Sequence, residues 1–256
     1  MLVSRGVKEF NVIAQDLSSY GLDLTGKMML PELIDQMAQI EGVKWIRLHY
    51  AYPAQFPYEI LDVMNKHDNV CKYLDIALQH INNTVLSNMR RHITKDETLE
   101  LIKTIRDKVP GIHLRTTLMV GFPGEDDAAF EELMDFAHSV RFDRMGAFAY
   151  CEEEDTYAAK NFEDSISEDV KNRRLDKLMH LQETIALELN EAKVGKEFEV
   201  IVDREDEDYY VGRTEFDSPE VDPEVLIRKT SALKTGEFYR VVVKEALPFE
   251  LIAELA

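Results

Sequence analysis

The sequence predicts an α/β protein in which part of a TIM-like (β/α) barrel precedes a small all-β, OB-like barrel domain. Up to about residue 150, short runs of β-branched and aromatic residues alternate with segments of helical period, which is the pattern of βα units in a parallel sheet. From Gly195 onward the pattern changes to short strands separated by turn-rich segments. A length of 256 residues accommodates one large and one small domain.

The barrel part is predicted to contain five strands, each followed by a helix. The strands are expected at residues 7–13, 44–49, 73–77, 113–120 and 144–149, and the helices near 30–40, 57–66, 84–89, 95–109 and 126–140. Periodicity leaves a flat, doubly wound sheet open as an alternative. No G-x-G-x-x-G follows the first strand to support that alternative.

Three units are therefore expected along the chain. Residues 1–166 form the partial barrel, 167–194 a connecting helix, and 195–256 the β-domain. Ser165-x-x-Glu168 predicts a capping box at the start of the connecting helix. The β-domain strands are predicted at residues 197–203, 209–216, 225–228, 237–244 and 249–254.

Composition narrows the class of protein. The formal charge of −19 and the pI near 4.8 disfavour nucleic acid and anionic membranes as general ligands, and they favour basic partners. The sequence has no apolar run of membrane-spanning length and no leader pattern, so we expect a cytoplasmic protein. Cys71 and Cys151 are the only cysteines, and the seven histidines lack metal-ligand spacing, so no metal site is predicted.

Polar residues follow or occupy the predicted barrel strands, where reactive groups lie in parallel barrels. Each group also has a plainer interpretation as a turn, a helix cap or a satisfied polar pair. The residues are Gln15 and Asp16 after the first strand, Gln79 and His80 after the third, Arg115 and Thr117 on the fourth, and the turn Gly121-Phe-Pro123-Gly124-Glu125 after it.

The succession of segments is more specific than any one of them. GVKEFNVIAQDLSSYG, IRLHYAYP, LDIALQHINNTVLSNMRR, RTTLMVGFPGE and FAYCEEEDTYAA together resemble the radical-SAM core of the methylthiotransferases. VGRTEFDSPEVDPEVLI and GEFYRVVVKEALPFEL resemble the C-terminal TRAM domain of the same enzymes. Members that modify a ribosomal protein match best, and tRNA-modifying members come second.

The resemblance implies a transferase that uses S-adenosylmethionine (SAM) and two 4Fe–4S clusters to methylthiolate the β-carbon of an aspartate in small-subunit ribosomal protein twelve. It also implies cofactor-binding residues that line the SAM cavity. These are Gln15, Asp16, Gln79, Arg115, Thr117, Gly121, Pro123, Gly124 and Glu125. No catalytic residue is assigned. Gly121 and Gly124 would allow a close backbone approach because they lack a Cβ.

One family motif has no counterpart in this sequence. The family's C-x-x-x-C-x-x-C cluster loop precedes the segment that corresponds to residue 1, and Cys71 and Cys151 cannot replace three thiolates in one loop. We therefore expect no cluster in this chain, and no activity from it alone. An enzyme fragment, a tRNA-modifying relative and a non-catalytic remnant that binds a ribosomal protein remain the alternatives.

Acidic residues of the β-domain predict its partner. Residues 195–256 contain eight basic and sixteen acidic side chains, which opposes RNA binding and favours a basic ribosomal protein. We expect one acidic rim for that partner, without direct contact to nucleic acid, formed by Asp206, Glu207, Asp208, Asp217, Glu220 and Asp222.

Overall fold

The first part of the chain forms a five-stranded parallel sheet. The computed structural model describes residues 1–256. The strands are β1 (Glu9–Val12), β2 (Trp45–Ala51), β3 (Val70–Gln79), β4 (His113–Val120) and β5 (Arg144–Ala149), and they lie side by side in sequence order. A doubly wound sheet reverses its strand order at a switch point. The uninterrupted order excludes that alternative and confirms the predicted partial barrel.

Helices cover one face of this sheet. They are α1 (Leu22–Thr25), α2 (Leu30–Ala38), α3 (Glu59–Lys66), α4 (Asn83–Asn88), α5 (Lys95–Lys108) and α6 (Asp127–Val140). Because side chains alternate along a strand, every second strand residue points to the helices. Ile46, Leu48, Leu74, Leu114 and Leu118 do so, and they belong to one hydrophobic cluster of 34 buried residues.

A short helix and a long helix connect the sheet to the second domain. They are α7 (Tyr157–Asn161) and α8 (Glu168–Glu191). The predicted capping box at Ser165 is wrong, because α8 begins at Glu168 with Ser167 as its N-cap and without a side-chain cap. The Glu168 carboxylate instead accepts a hydrogen bond from Lys171, one turn along the helix. A capping box does form at the start of α5, between Thr94 and Glu97.

The second domain is a closed five-stranded barrel. Its strands are β6 (Glu197–Glu205), β7 (Tyr209–Thr214), β8 (Glu224–Arg228), β9 (Phe238–Ala246) and β10 (Glu250–Leu255), hydrogen-bonded in the order β10-β8-β7-β6-β9. β10 runs parallel to β8 and antiparallel to β9. The five-stranded barrel agrees with the predicted OB-like architecture.

This barrel packs against the face of the sheet that the helices leave uncovered, which we call the inner face. Trp45, Cys71 and Tyr73 on the inner face form a cluster with Ile201 and Phe238 of the barrel. The contact lies at the amino-terminal half of the strands and leaves the carboxyl-terminal half free of the barrel. None of the helices combines the length and apolar character needed to cross a bilayer.

Candidate functional site

Two clefts open near the carboxyl-terminal edge of the sheet. The first cleft has a volume of about 620 Å³ and lies beside the loops after β1 and β2, where Asp16, Ser18, Tyr52 and Phe56 line it. The second cleft has a volume of about 580 Å³ and lies beside the ends of β3, β4 and β5. Both volumes lie within the usual range for small-molecule sites.

The second cleft combines an apolar wall with a few polar groups. Its apolar wall is formed chiefly by Met89, Met119, Phe122, Phe148 and Tyr150. Its polar side chains include Gln79, Asn88, Arg90, Arg91 and Cys151. Three polar atoms at this wall are buried without a hydrogen-bond partner, and they are Gln79 Oε1, Arg91 Nε and the Tyr150 hydroxyl. A bound polar ligand could satisfy them.

A distorted strand end creates this wall. The pairing of β3 shifts register relative to both β2 and β4 near its end, and Gln79 adopts a φ of 69°. The distortion leaves the Ala77 carbonyl free to accept a hydrogen bond from Arg91, which follows α4. Residues after α4 are thereby attached to the end of β3.

The turn after β4 packs between the second cleft and α8. Gly121 and Gly124 have φ values of 74° and 94°, a region that favours glycine. A Cβ on Gly121 would lie 2.4 Å from Lys171 Cγ, so this glycine allows α8 to approach closely. Asn88 Nδ2 donates to the Pro123 carbonyl at 3.3 Å. Of this turn, only Phe122 lines the second cleft.

Glu125 has a structural role that differs from its expected contact with SAM. Its buried carboxylate accepts hydrogen bonds from Gly121 N at 3.0 Å and Arg174 Nη1 at 2.6 Å, and it lies 3.1 Å from His80 Nε2. These partners come from the residue after β3, the turn itself and α8. Glu125 therefore holds the turn closed, and its carboxylate is already occupied.

Other expected SAM residues are distributed between different places. Asp16 lines the first cleft, where its Oδ1 accepts from Ser18 N at 2.9 Å, whereas Gln15 is exposed and lines neither cleft. Thr117 is half-buried and shares the inner face of β4 with Met119. It lies two residues closer to the start of the strand than Met119, which lines the second cleft. Gln79 is the only one of the nine expected residues that lines the second cleft.

Arg115 lies in the domain contact instead of the SAM cavity that we expected for it. It is near the start of β4, and it forms ion pairs at 3.2 Å with Asp75 and with Asp222 of the small barrel. Arg115 and Thr117 lie on β4, as the sequence predicts, and they share its inner face. The alternation of residues along β4 does not reveal that the second domain covers the amino-terminal half of that face.

The six acidic residues expected to form one rim are divided between two places. Asp206, Glu207 and Asp208 form the turn before β7, whereas the other acidic residues lie in the loop after it, so the two groups are at opposite ends of one strand. Asp217 and Asp222 are moreover buried against the sheet. Asp217 pairs with Arg144 at 2.5 Å, and Asp222 accepts from the Tyr73 hydroxyl at 2.7 Å. Glu220 stays exposed on that loop.

At this buried contact, attraction between opposite charges affects the pKa of Asp217 more than burial does. Burial alone would raise the pKa of Asp217, but Arg144 and Lys193 attract its carboxylate and lower the pKa to about 2. A second group of charges joins Arg47 and Arg213 to Glu9, and Arg213 also to Asp203. Of these ion pairs, Arg144–Asp217 and Arg213–Glu9 join the small barrel to the sheet.

The side chains fit a SAM-like ligand but not an iron–sulfur cluster. The apolar wall and unsatisfied polar atoms of the second cleft suit an adenosyl group with polar substituents. Cys71, in contrast, is buried beneath the small barrel, and burial raises the pKa of its thiol to about 12. Cys151 is exposed beside the second cleft, and no group of three metal-binding side chains occurs. These two cysteines cannot supply three thiolate ligands.

Family models match both parts of the chain. Residues 5–137 match the radical SAM superfamily, and residues 194–256 match the TRAM domain. Among solved structures, coproporphyrinogen III oxidase from Escherichia coli, a radical SAM enzyme, superposes with a TM-score of 0.50 over 61% of this chain and 37% of that chain. The identity of 16% means that this likeness supports the fold alone.

Curated relatives match the whole chain. The ribosomal protein uS12 methylthiotransferase RimO of Phocaeicola vulgatus is 62% identical over 100% of this chain, and the protein of the same name from Bacteroides fragilis is 61% identical over 99%. In both comparisons the chain spans 59% of the relative's length.

Proposed function

Because this chain belongs to the radical SAM superfamily, we propose that it forms part of a methylthiotransferase that uses SAM to modify small-subunit ribosomal protein uS12. The observation that carries this proposal is the second cleft, which lies at the carboxyl-terminal edge of the sheet and has unsatisfied polar atoms in an apolar wall. The relatives that share 61–62% of the aligned residues bear the name of that activity. The acceptor group that the sequence resemblance implies is the β-carbon of an aspartate.

The residues of the second cleft would bind and orient SAM. Met119, Phe122 and Phe148 offer apolar surfaces for an adenine ring, and Gln79 Oε1 offers an acceptor for a hydroxyl or amino group. Bound SAM supplies the reactive adenosyl and methyl groups. Since the two cysteines do not fit a cluster, we derive no step through one.

Calorimetric titration of the chain with SAM tests this assignment. We expect one binding site, and we expect Gln79→Leu to weaken binding by about tenfold because it removes one hydrogen bond from a partly desolvated ligand. Gln39→Leu is the matched control, because Gln39 is exposed at the end of α2 and lines neither cleft. The assignment is wrong if SAM does not bind, or if both variants bind it equally well.

The partner proposed for the small barrel is uS12. Asp206, Glu207 and Asp208 remain exposed in the turn between β6 and β7, and the net charge of −19 favours a basic protein over RNA. Replacing these three with Asn, Gln and Asn should slow association with uS12 and reduce its dependence on salt. Tight binding of tRNA without binding of uS12, measured on the same sensor surface, would favour the tRNA-modifying alternative.

A further inference from the structure

β5 is the last strand of the sheet and pairs on one side only. Its single neighbour is β4. Tyr150 N, directly after β5, donates to the Val120 carbonyl at the end of β4, at 2.8 Å. Because alternate residues of a strand direct their main-chain groups to the same side, Met145, Ala147 and Ala149 direct theirs away from β4. We call these unpaired main-chain groups the free edge of β5.

Cavities open at both ends of the free edge. Met145, at its beginning, lines a cavity of about 120 Å³ between the sheet and the small barrel. Phe148 and Ala149, at its other end, line the second cleft, and Phe148 is 42% exposed. The free edge therefore extends from the domain contact to the second cleft, and it is accessible from both.

The free edge lacks the features that usually protect an exposed strand. Proteins protect such edges with charged side chains, with proline or by keeping the strand very short. β1, at the opposite edge of the sheet, has only four residues, and among them Glu9 pairs with Arg47 and Arg213. The stretch from Met145 to Ala149 contains neither a charged residue nor a proline. It is therefore open to the addition of a strand.

Four acidic residues, which we call the acidic segment, follow the free edge. They are Glu152, Glu153, Glu154 and Asp155, and all four are exposed. Asp155 pairs with Lys160, whereas the three glutamates form no ion pair. Glu153 also lines the second cleft. Uncompensated negative charge at this place attracts cations and repels the phosphates of nucleic acids.

The Tyr150 hydroxyl independently points to a ligand at this place. Tyr150 lines the second cleft between the free edge and the acidic segment, and it is only 6% exposed, yet its hydroxyl has no hydrogen-bond partner. Burial, together with the charges of Glu152 and Asp164, raises the pKa of Tyr150, so the hydroxyl remains a donor. A main-chain carbonyl of an extended peptide is a suitable acceptor for it.

Charge favours a different protein over a second copy of this chain at the free edge. Exposed strand edges often pair with the same edge of another copy. Each copy here carries a formal charge of −19, and the acidic segment directly follows its edge. Repulsion opposes the pairing of two copies, whereas a basic chain is attracted.

We propose that the free edge of β5 binds an extended, basic segment of the target protein as an additional strand. Main-chain hydrogen bonds to Met145, Ala147 and Ala149 supply affinity, and the acidic segment selects a strand that carries Lys or Arg. The inference rests on the proposed function, because it takes uS12 as the source of this strand. The added strand lies beside the second cleft and so brings the target protein next to the proposed SAM site.

Ala147→Pro tests the main-chain contact. It removes the central N–H of the free edge, and the pairing with β4 is retained because that N–H faces away from β4. On a sensor surface, the affinity for uS12 should fall by about tenfold or more, while the affinity for SAM in calorimetry is unchanged. Ala147→Ser is the matched control, because it keeps the N–H and should bind uS12 as wild type does.

A charge variant tests the acidic segment. Replacing Glu152, Glu153 and Glu154 together with Gln should weaken uS12 binding by about tenfold at low ionic strength and reduce its dependence on salt. The matched control makes the same change in net charge at three exposed glutamates in other elements, which are Glu41, Glu131 and Glu191. This control should bind uS12 more tightly than the variant of the acidic segment.

A peptide experiment makes the test independent of how Ala147→Pro folds. Overlapping peptides of uS12 identify the bound segment, and its main-chain amides are then N-methylated one at a time. An added strand bonds to its neighbour through alternate residues, so methylation should weaken binding to the wild-type chain at every second position only.

Three results overturn the inference. The first is that Ala147→Pro binds uS12 as tightly as wild type, and the second is that methylation has the same effect at every position. The third is that Ala147→Pro weakens the binding of tRNA, or dissociates a dimer of the chain, without affecting uS12. If the variant loses uS12 and SAM together, the proline disturbs the sheet, and the methylation pattern then decides. If wild-type chain binds SAM but not uS12, the partner is wrong and the inference fails, whereas the assignment of the second cleft to SAM stands.

Discussion

The two halves of the inner face treat charged groups differently. In the amino-terminal half, Arg115 and Arg144 pair with Asp222 and Asp217 of the small barrel. In the carboxyl-terminal half, Arg91 has no carboxylate partner. Two tyrosines show the same contrast, since the Tyr73 hydroxyl donates to Asp222 whereas the Tyr150 hydroxyl is unpaired. Polar groups in the amino-terminal half stabilise the domain contact, and those in the carboxyl-terminal half stay available for a ligand.

The largest change in the free energy of unfolding should follow from breaking a buried ion pair in the amino-terminal half of the inner face. Arg144→Ala leaves the Asp217 carboxylate buried without its main counter-charge, so the free energy of unfolding should fall by about 3–5 kcal/mol. Urea denaturation at neutral pH measures this change. Arg204→Ala is the control, because the Arg204 side chain is 55% exposed and its pairing with Glu224 should be worth less than about 1 kcal/mol. Equal losses in both variants would show that the domain contact is not held by its charges.

Removing one hydroxyl from each half gives a matched comparison. Tyr73→Phe removes a hydrogen bond to a buried carboxylate and should cost about 1.5–3 kcal/mol. Tyr150→Phe removes a buried hydroxyl that has no partner, so the free energy of unfolding should change by less than about 0.5 kcal/mol or increase. The same denaturation experiment compares them. A larger loss for Tyr150→Phe would contradict the distinction between the two halves.

A smaller effect concerns pH. His113 stacks on Phe216 of the small barrel at 4.0 Å, and burial together with nearby Lys193 and Arg144 lowers its pKa from 6.5 to about 4 despite the attraction of Asp143. As the pH falls, His113 is therefore protonated near pH 6.5 in the unfolded chain, but only near pH 4 in the folded chain. Stability is complete above this window and is lost as the pH falls through it, by about 1.4 kcal/mol at pH 5.5.

His113→Gln isolates that contribution. Asp75 and Asp222 have pKa values raised chiefly by burial, so they act in the opposite direction, but they are present in both proteins. Between pH 7.5 and 5.5 the variant should lose about 1 kcal/mol less than wild type. Parallel pH curves for the two proteins would mean that His113 is solvated when folded.

Periodicity predicted the elements of the fold well because each strand and helix has a strong local pattern. β4 and β5 begin and end where the alternation of apolar residues indicates, and α5 differs from its expected range by one residue. β3 is longer than expected at both ends. Its distorted end at Gln79 depends on contacts with β2, β4 and Arg91, and these have no local signal.

The site was harder to predict because its residues depend on packing between distant segments. Gln79 ends a parallel strand and lines the second cleft, and its expected contact with SAM stays a prediction. Glu125 and Arg115 were expected to contact SAM, but Arg174 and Asp222 neutralise them from far along the chain. Arg91 and Tyr150 were missed. The sequence signal for Arg91 was its place in the Arg90-Arg91 pair that follows the predicted helix at 84–89.

Closure of the small barrel also has a consequence in time. The strand that joins β8 to β9 is β10, which is the last strand of the barrel to leave the ribosome. Domains fold largely in the order of their synthesis, so the sheet can assemble while β10 is still being made. The loop that carries Asp217 and Asp222 connects β7 to β8, so it is synthesised after the whole parallel sheet. We therefore expect Arg115 and Arg144 to stay hydrated until this loop has been made and can supply their carboxylate partners.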